Sequence, residues 1–143
     1  MKIKNLFKLA LVTLVICLPI TGIAQCKSFG KKCSATISPY FNSGQMFNST
    51  LLSEDYAKLS MTFYKGQNYR IMVCSEEDLG KIRFNLKDAR NNLVFSNKGY
   101  GNFWDFNVQT TQELTVEVIT PPAHAEDNLD KSGCVTILVG FKQ

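Results

Sequence analysis

The residues able to do chemistry are few. His124 is the only histidine, in the run Pro121-Pro122-Ala123-His124-Ala125-Glu126-Asp127. A hydrolase needs a nucleophile, a base and an orienting group. No Gly-x-Ser-x-Gly motif accompanies His124, so it reads as a solvated loop side chain. Paired carboxylates for glycoside hydrolysis need not be near in sequence, and nothing here singles out a pair. Glu126, Asp127 and Asp130 place hard oxygen ligands in one loop, as Ca2+ prefers, and Glu76, Glu77 and Asp78 form a second acidic run. Neither spacing matches an EF-hand. Solvated turns are the plainer reading, and a weak Ca2+ site at Glu126, Asp127 and Asp130 is the most these oxygens imply. No cofactor is expected.

The densest aromatic stretch is Tyr100-Gly101-Asn102-Phe103-Trp104-Asp105-Phe106. Alternation sends Trp104 and Phe106 one way, toward the core, and Phe103 the other way, toward solvent. Exposed rings stack on sugars or anchor partners. Phe103 and Tyr100 are therefore candidate binding residues. Tyr40 and Phe41 join them on a weaker signal.

The chain holds five cysteines. Cys17 lies in an apolar N-terminal segment, which leaves Cys26, Cys33, Cys74 and Cys134. An even number in an exported chain reads as two disulfides. Structural zinc favours closer Cys spacing, often with His, and fits poorly. Four cysteines allow three connectivities. The expected one is Cys26–Cys33, closing a short basic loop that holds Gly30, with Cys74–Cys134 joining two strands. Cys74 lies off the Tyr69/Ile71/Val73 face, and Cys134 off the Val135/Ile137/Val139 face. Both sulfurs should point outward on one sheet and meet across adjacent antiparallel strands.

Export is read from the N-terminus. Lys2, Lys4 and Lys8 precede the apolar run from Leu9 to Ile20, and Gly22-Ile23-Ala24 supplies small residues before a cleavage site. This is the pattern of a secretory signal peptide over residues 1–24. The run is too short for a membrane span, which needs about 20 apolar residues. Gln25 before Cys26 does not fit a lipobox. No membrane span is expected after cleavage, and the location expected is secreted or periplasmic. The formal charge is +4 from 16 basic and 12 acidic residues. Without the three leader lysines it falls to near zero, which disfavours nucleic-acid binding. A hydrophobic content of 45% excludes disorder.

The elements that must position these residues are strands. Apolar residues alternate in Leu59-Met61-Phe63, Tyr69-Ile71-Val73, Ile82-Phe84-Leu86, Leu114-Val116-Val118 and Val135-Ile137-Val139-Phe141. Leu93-Val94-Phe95 and Phe103 to Val108 add two more. No good helical stretch is evident, and residues 25–34 read as an extended lead-in pinned by a disulfide. Turn signals every 8–12 residues and eight or nine short strands predict one all-β domain over residues 25–143, an antiparallel β-sandwich. Alternation predicts one wet face on each sheet.

The second half resembles the bacterial pre-peptidase C-terminal domain. The resemblance lies in Phe63-Tyr64-Lys65-Gly66-Gln67-Asn68-Tyr69-Arg70-Ile71, in the hairpin Phe84-Asn85-Leu86-Lys87-Asp88-Ala89-Arg90-Asn91-Asn92-Leu93, and in the closing strands Leu114 to Val118 and Val135 to Phe141. It covers roughly residues 57–143. Asn91-Asn92 stands where that family prefers Gly, and the paired cysteines are an addition. The resemblance implies a jelly-roll-like sandwich more than a role, since no peptidase is attached. The function expected is an exported, non-catalytic binding or envelope accessory protein that recognises an extracellular protein or glycan. The alternative is a small secreted hydrolase or peptidase inhibitor.

Overall fold

The computed structural model describes residues 22–123 and 131–142. The signal-peptide expectation therefore falls almost wholly outside the described residues. So do His124 and the Ca2+ expectation at Glu126, Asp127 and Asp130.

Among the described residues, eight strands follow one helix. The helix α1 spans Gly22–Ser34, and the strands are β1 Phe41–Leu52, β2 Tyr56–Phe63, β3 Asn68–Ser75, β4 Arg83–Asp88, β5 Leu93–Ser96, β6 Phe103–Asn107, β7 Gln112–Ile119 and β8 Ser132–Lys142. They form two four-stranded sheets, in the orders β1-β8-β3-β6 and β2-β7-β4-β5. Every pairing is antiparallel. This is the strand order of a jelly roll. The inner faces meet in one core, where Phe63, Phe84, Leu86, Ile71, Val116 and Ile137 are fully buried. Trp104 and Phe106 pack against it as expected. Trp104 stacks between Phe95 and Phe106 at 4.5 and 4.4 Å, which ties β5 of one sheet to β6 of the other.

The extended lead-in is corrected: Gly22–Ser34 is a helix. Cys26, Gly30, Cys33 and, just past the helix, Ile37 are buried. Their spacing of four, three and four residues is one helix face. Cys and Gly hid that face, because neither registers as an apolar stripe. Gly30 is required by close approach, since a Cβ there would overlap Asn48 and lie 2.8 Å from Met46 Sδ. Lys31 and Lys32 occupy the last turn, where cations oppose the helix dipole. Thr36 closes the end, its N–H and hydroxyl both donating to Cys33 O.

The disulfide pairing is corrected too. Cys26 bridges Cys134 and Cys33 bridges Cys74, with Cα separations of 5.2 and 6.2 Å. Within a helix, Cys26 and Cys33 lie about 10.5 Å apart, beyond the ~7 Å reach of a bridge. The parity argument survives in part. β3 and β8 are antiparallel neighbours, with Cys74 opposite Thr136. Both cysteines leave the inner face, but their partners are on the helix above.

The helix also overturns the wet-face expectation for its sheet. Gly133 to Gly140 of β8 are buried without a break. Cys33, Ile37, Met72 and Leu138 form a second small core between helix and sheet. Gly140 makes room for the chain leaving the helix, since a Cβ would come within 2.8 Å of Ile37 and 2.9 Å of Tyr40. The other sheet keeps the alternating pattern. Its outer face is polar, with Ser60 bonded to Thr115 at 2.7 Å and Glu117 held by Lys87 at 2.8 Å and Lys58 at 3.2 Å.

Candidate binding surface

Arg70 of β3 and Asp105 of β6 are cross-strand partners on the outer face of the helix-covered sheet. Arg70 donates from Nε and Nη2 to the two carboxylate oxygens, each at 2.7 Å. Such a bidentate pair is strong and directional. Nη1 donates to Ser38 O at 3.0 Å and, at 3.4 Å, to Ile37 O. The guanidinium lies 4.6 Å from the Tyr40 ring centre and 4.2 Å from that of Phe103, within cation–π range. The Asp105 hydrogen bond raises the Arg70 pKa. Burial, followed by the Asp105 charge, raises that of the Tyr40 hydroxyl. Arg70 is thus engaged on every side and acts as the pin that orients two rings. Phe103 remains 47% exposed.

The structure brings Tyr40 and Phe103 together through Arg70. Tyr100 lies in the loop that leads into β6 and is 79% exposed. That loop is organised by Asn97, which is buried. Asn97 Oδ1 accepts from the N–H of Phe84 and Gly99, and Nδ2 donates to Ile82 O and Gly101 O. Asn102 O accepts from Val73 N at 2.7 Å, which fixes the loop to β3. Phe41 does not join the other rings through a described contact. It is exposed and tilted against Phe141 across the β1–β8 ladder, 6.3 Å between centres.

Sequence reading missed β1 altogether, and with it a cleft. Phe41–Leu52 is rich in Asn, Ser and Gly and shows no apolar alternation. Its register also shifts between Asn42 and Met46, which breaks any period-two signal. The gap between β1 and β2, the edges of the two sheets, is a cleft of about 860 Å3. Met46, Phe47, Leu59 and Met61 give it an apolar lining, and Gln45 and Thr62 add polar groups.

The carboxylates with shifted pKa values are held ionised rather than poised to give up a proton. Glu117 is lowered by hydrogen bonds from Lys87 and then Lys58. Asp88 is lowered by the side chain and backbone N–H of Asn92. Among the described residues, no group of three or more His, Cys, Asp or Glu is placed to hold a metal.

No protein family matches this sequence, and no curated protein does either. Solved structures do match in fold. PliG of Aeromonas hydrophila, a periplasmic inhibitor of g-type lysozyme, superposes with a TM-score of 0.53 at 11% identity, over 68% of this chain and 85% of that one. Salmonella Typhimurium PliG gives 0.42 at 16% identity, over 69% and 92%. The CBM36-1 domain of a xylanase from a Trinervitermes trinervoides hindgut metagenome gives 0.34 at 12%, over 73% and 91%. The first of these shows a shared β-sandwich architecture.

Proposed function

We propose that this chain is an exported, non-catalytic binding protein of the cell envelope, secreted or periplasmic, which recognises its partner through rigidly held aromatic side chains. The observation that carries the proposal is the Tyr40–Arg70–Phe103 cluster, locked by Asp105, together with the pinned loop before β6 that presents Tyr100. Rings held in place before binding lose little freedom on contact, which favours affinity. Two disulfides suit an oxidising compartment, in keeping with the leader-like N-terminus. Kinship of residues 57–143 with the pre-peptidase C-terminal domain belongs to the same proposal and is supported by the jelly-roll order.

A second reading narrows the partner to an enzyme, which this chain would inhibit. The similarity in fold to the Aeromonas hydrophila inhibitor favours it. The two readings share one test: a glycan array, together with lysis of peptidoglycan by g-type lysozyme in the presence of the mature protein. Specific binding in either arm that falls at least tenfold in Tyr100→Ala/Phe103→Ala supports the aromatic surface. Slowed lysis selects the inhibitor reading. Binding undiminished in that variant, or no binding in either arm, refutes the proposal.

A further inference from the structure

We propose that the cleft between Lys81, Arg83, Lys98 and the end of β7 is a binding site for an oxyanion, a carboxylate or phosphate carried by a small ligand. The inference is independent of the aromatic surface. The cleft holds about 270 Å3, room for one sugar-sized group rather than a chain. Among the described residues, three cations line it, with Ile119 and Pro121 as apolar neighbours and no carboxylate. The ion pairs of the described residues engage Lys58, Lys87 and Arg70, none of these three.

The cations arrive from separate parts of the chain. Lys81 lies in the turn before β4. Arg83 opens β4 on the polar outer face, opposite Ile119 of β7. Lys98 sits in the β5–β6 loop. All three are exposed. Like charges gathered in a concave site raise the local potential for an anion.

Both walls are fixed before any ligand arrives. On one side, Asn97 Oδ1 accepts from Gly99 N at 3.1 Å, and Lys98 N donates to Ser96 Oγ at 3.2 Å. Lys98 itself is in the left-handed region, with φ of 50°. Gly or Asn takes that conformation at lower cost than Lys. A long cationic side chain kept at a strained position points to a use for the charge. On the other side, Thr120 Oγ1 is bonded to Asp55 and Leu52, which holds the β7 end still. Glu77 and Asp78 line a different pocket beyond Pro121 and Pro122, one that Lys81 also borders. Arg83 and Lys98 are therefore the cations that belong to the anion site alone.

The test is an amide chemical-shift titration of the mature chain with inorganic phosphate, with galacturonate and with neutral galactose. The expected result is saturable shifts at Lys81, Arg83, Lys98 and Gly99 with at least one anion and none with galactose. The response should weaken as NaCl is raised. Which anion responds tells phosphate from carboxylate. Arg83→Gln/Lys98→Asn should raise the dissociation constant at least tenfold. Asn tolerates the left-handed backbone, and unchanged shifts elsewhere in the spectrum verify that the variant is folded. No saturable shift with either anion, an equal response to galactose, or undiminished binding in the variant overturns the proposal.

Discussion

Replacing Cys33 and Cys74 by Ser removes the bridge that fastens the end of α1 to β3. The bridge closes a span of 41 residues. In the chain-entropy treatment of the unfolded state, a loop of that length is worth about 4 kcal/mol. The second bridge spans 108 residues, but the two are not independent. With Cys33–Cys74 in place, the covalent path from Cys26 to Cys134 runs seven residues along α1 and sixty from Cys74 to Cys134. That path is worth about 4.4 kcal/mol, against about 4.8 kcal/mol for the full span. Either double mutant should therefore lose about 4 kcal/mol and melt ~10–20 °C below the parent. Removing all four cysteines should cost about 8 kcal/mol, enough to unfold many domains of this size. Calorimetric melting of the three variants checks the magnitudes, and peptide mapping under non-reducing conditions checks the connectivity. A Cys33→Ser/Cys74→Ser protein melting within about 3 °C of the parent would refute the entropic reasoning. A linked Cys26–Cys33 peptide would refute the helix itself.

Glu117 carries a pH signature. Its folded pKa is lowered, chiefly by Lys87, so its contribution is full above the unfolded carboxyl pKa and is lost as pH falls through the folded value. Glu117→Gln should cost about 1–2 kcal/mol at pH 7, and the gap to the parent should narrow as pH falls below the ordinary Glu range in paired thermal melts. A gap independent of pH would contradict the assignment. Asn97→Ala leaves the N–H of Phe84 and the carbonyl of Ile82 without their side-chain partner. It should lower stability by about 2–3 kcal/mol and speed amide exchange at Gly99 and Gly101, which hydrogen-exchange NMR would detect.

Where one face of a strand met the core and the other met water, the fold was legible in the sequence. β2, β4 and β7 show this in Leu59-Met61-Phe63, Phe84-Leu86 and Leu114-Val116-Val118. The inward turn of Trp104 and the exposure of Phe103 followed from the same parity. Reading failed where burial was two-sided or the strand irregular. Leu138 and Met72 fall out of step with their inward neighbours because a helix covers them, and that helix presents Cys and Gly rather than Leu. β1 carries polar residues at a sheet edge and a register shift, so it has no period to read. The candidate surface was half visible. Phe103, Tyr100 and Tyr40 stood out as aromatics, but Arg70 and Asp105 are 35 residues apart and only strand register reveals the pin. The cluster of Lys81, Arg83 and Lys98 was hidden for the same reason, since it assembles from two turns and a strand end.

The Cys26–Cys134 bridge has a mechanical consequence. Tension applied between the N-terminal side of Cys26 and the C-terminal side of Cys134 passes through the sulfurs. The covalent path bypasses the chain between the two cysteines, and the part of β8 beyond Cys134 is held by its ladders to β1 and β3. The 108-residue span is a sealed length that a pull cannot extend while the bridge stands. Reducing both bridges would release it, adding roughly 370 Å of contour. The bridge makes this sandwich a nearly inextensible link between whatever is attached at its two ends, and reducing both bridges turns it into a compliant one.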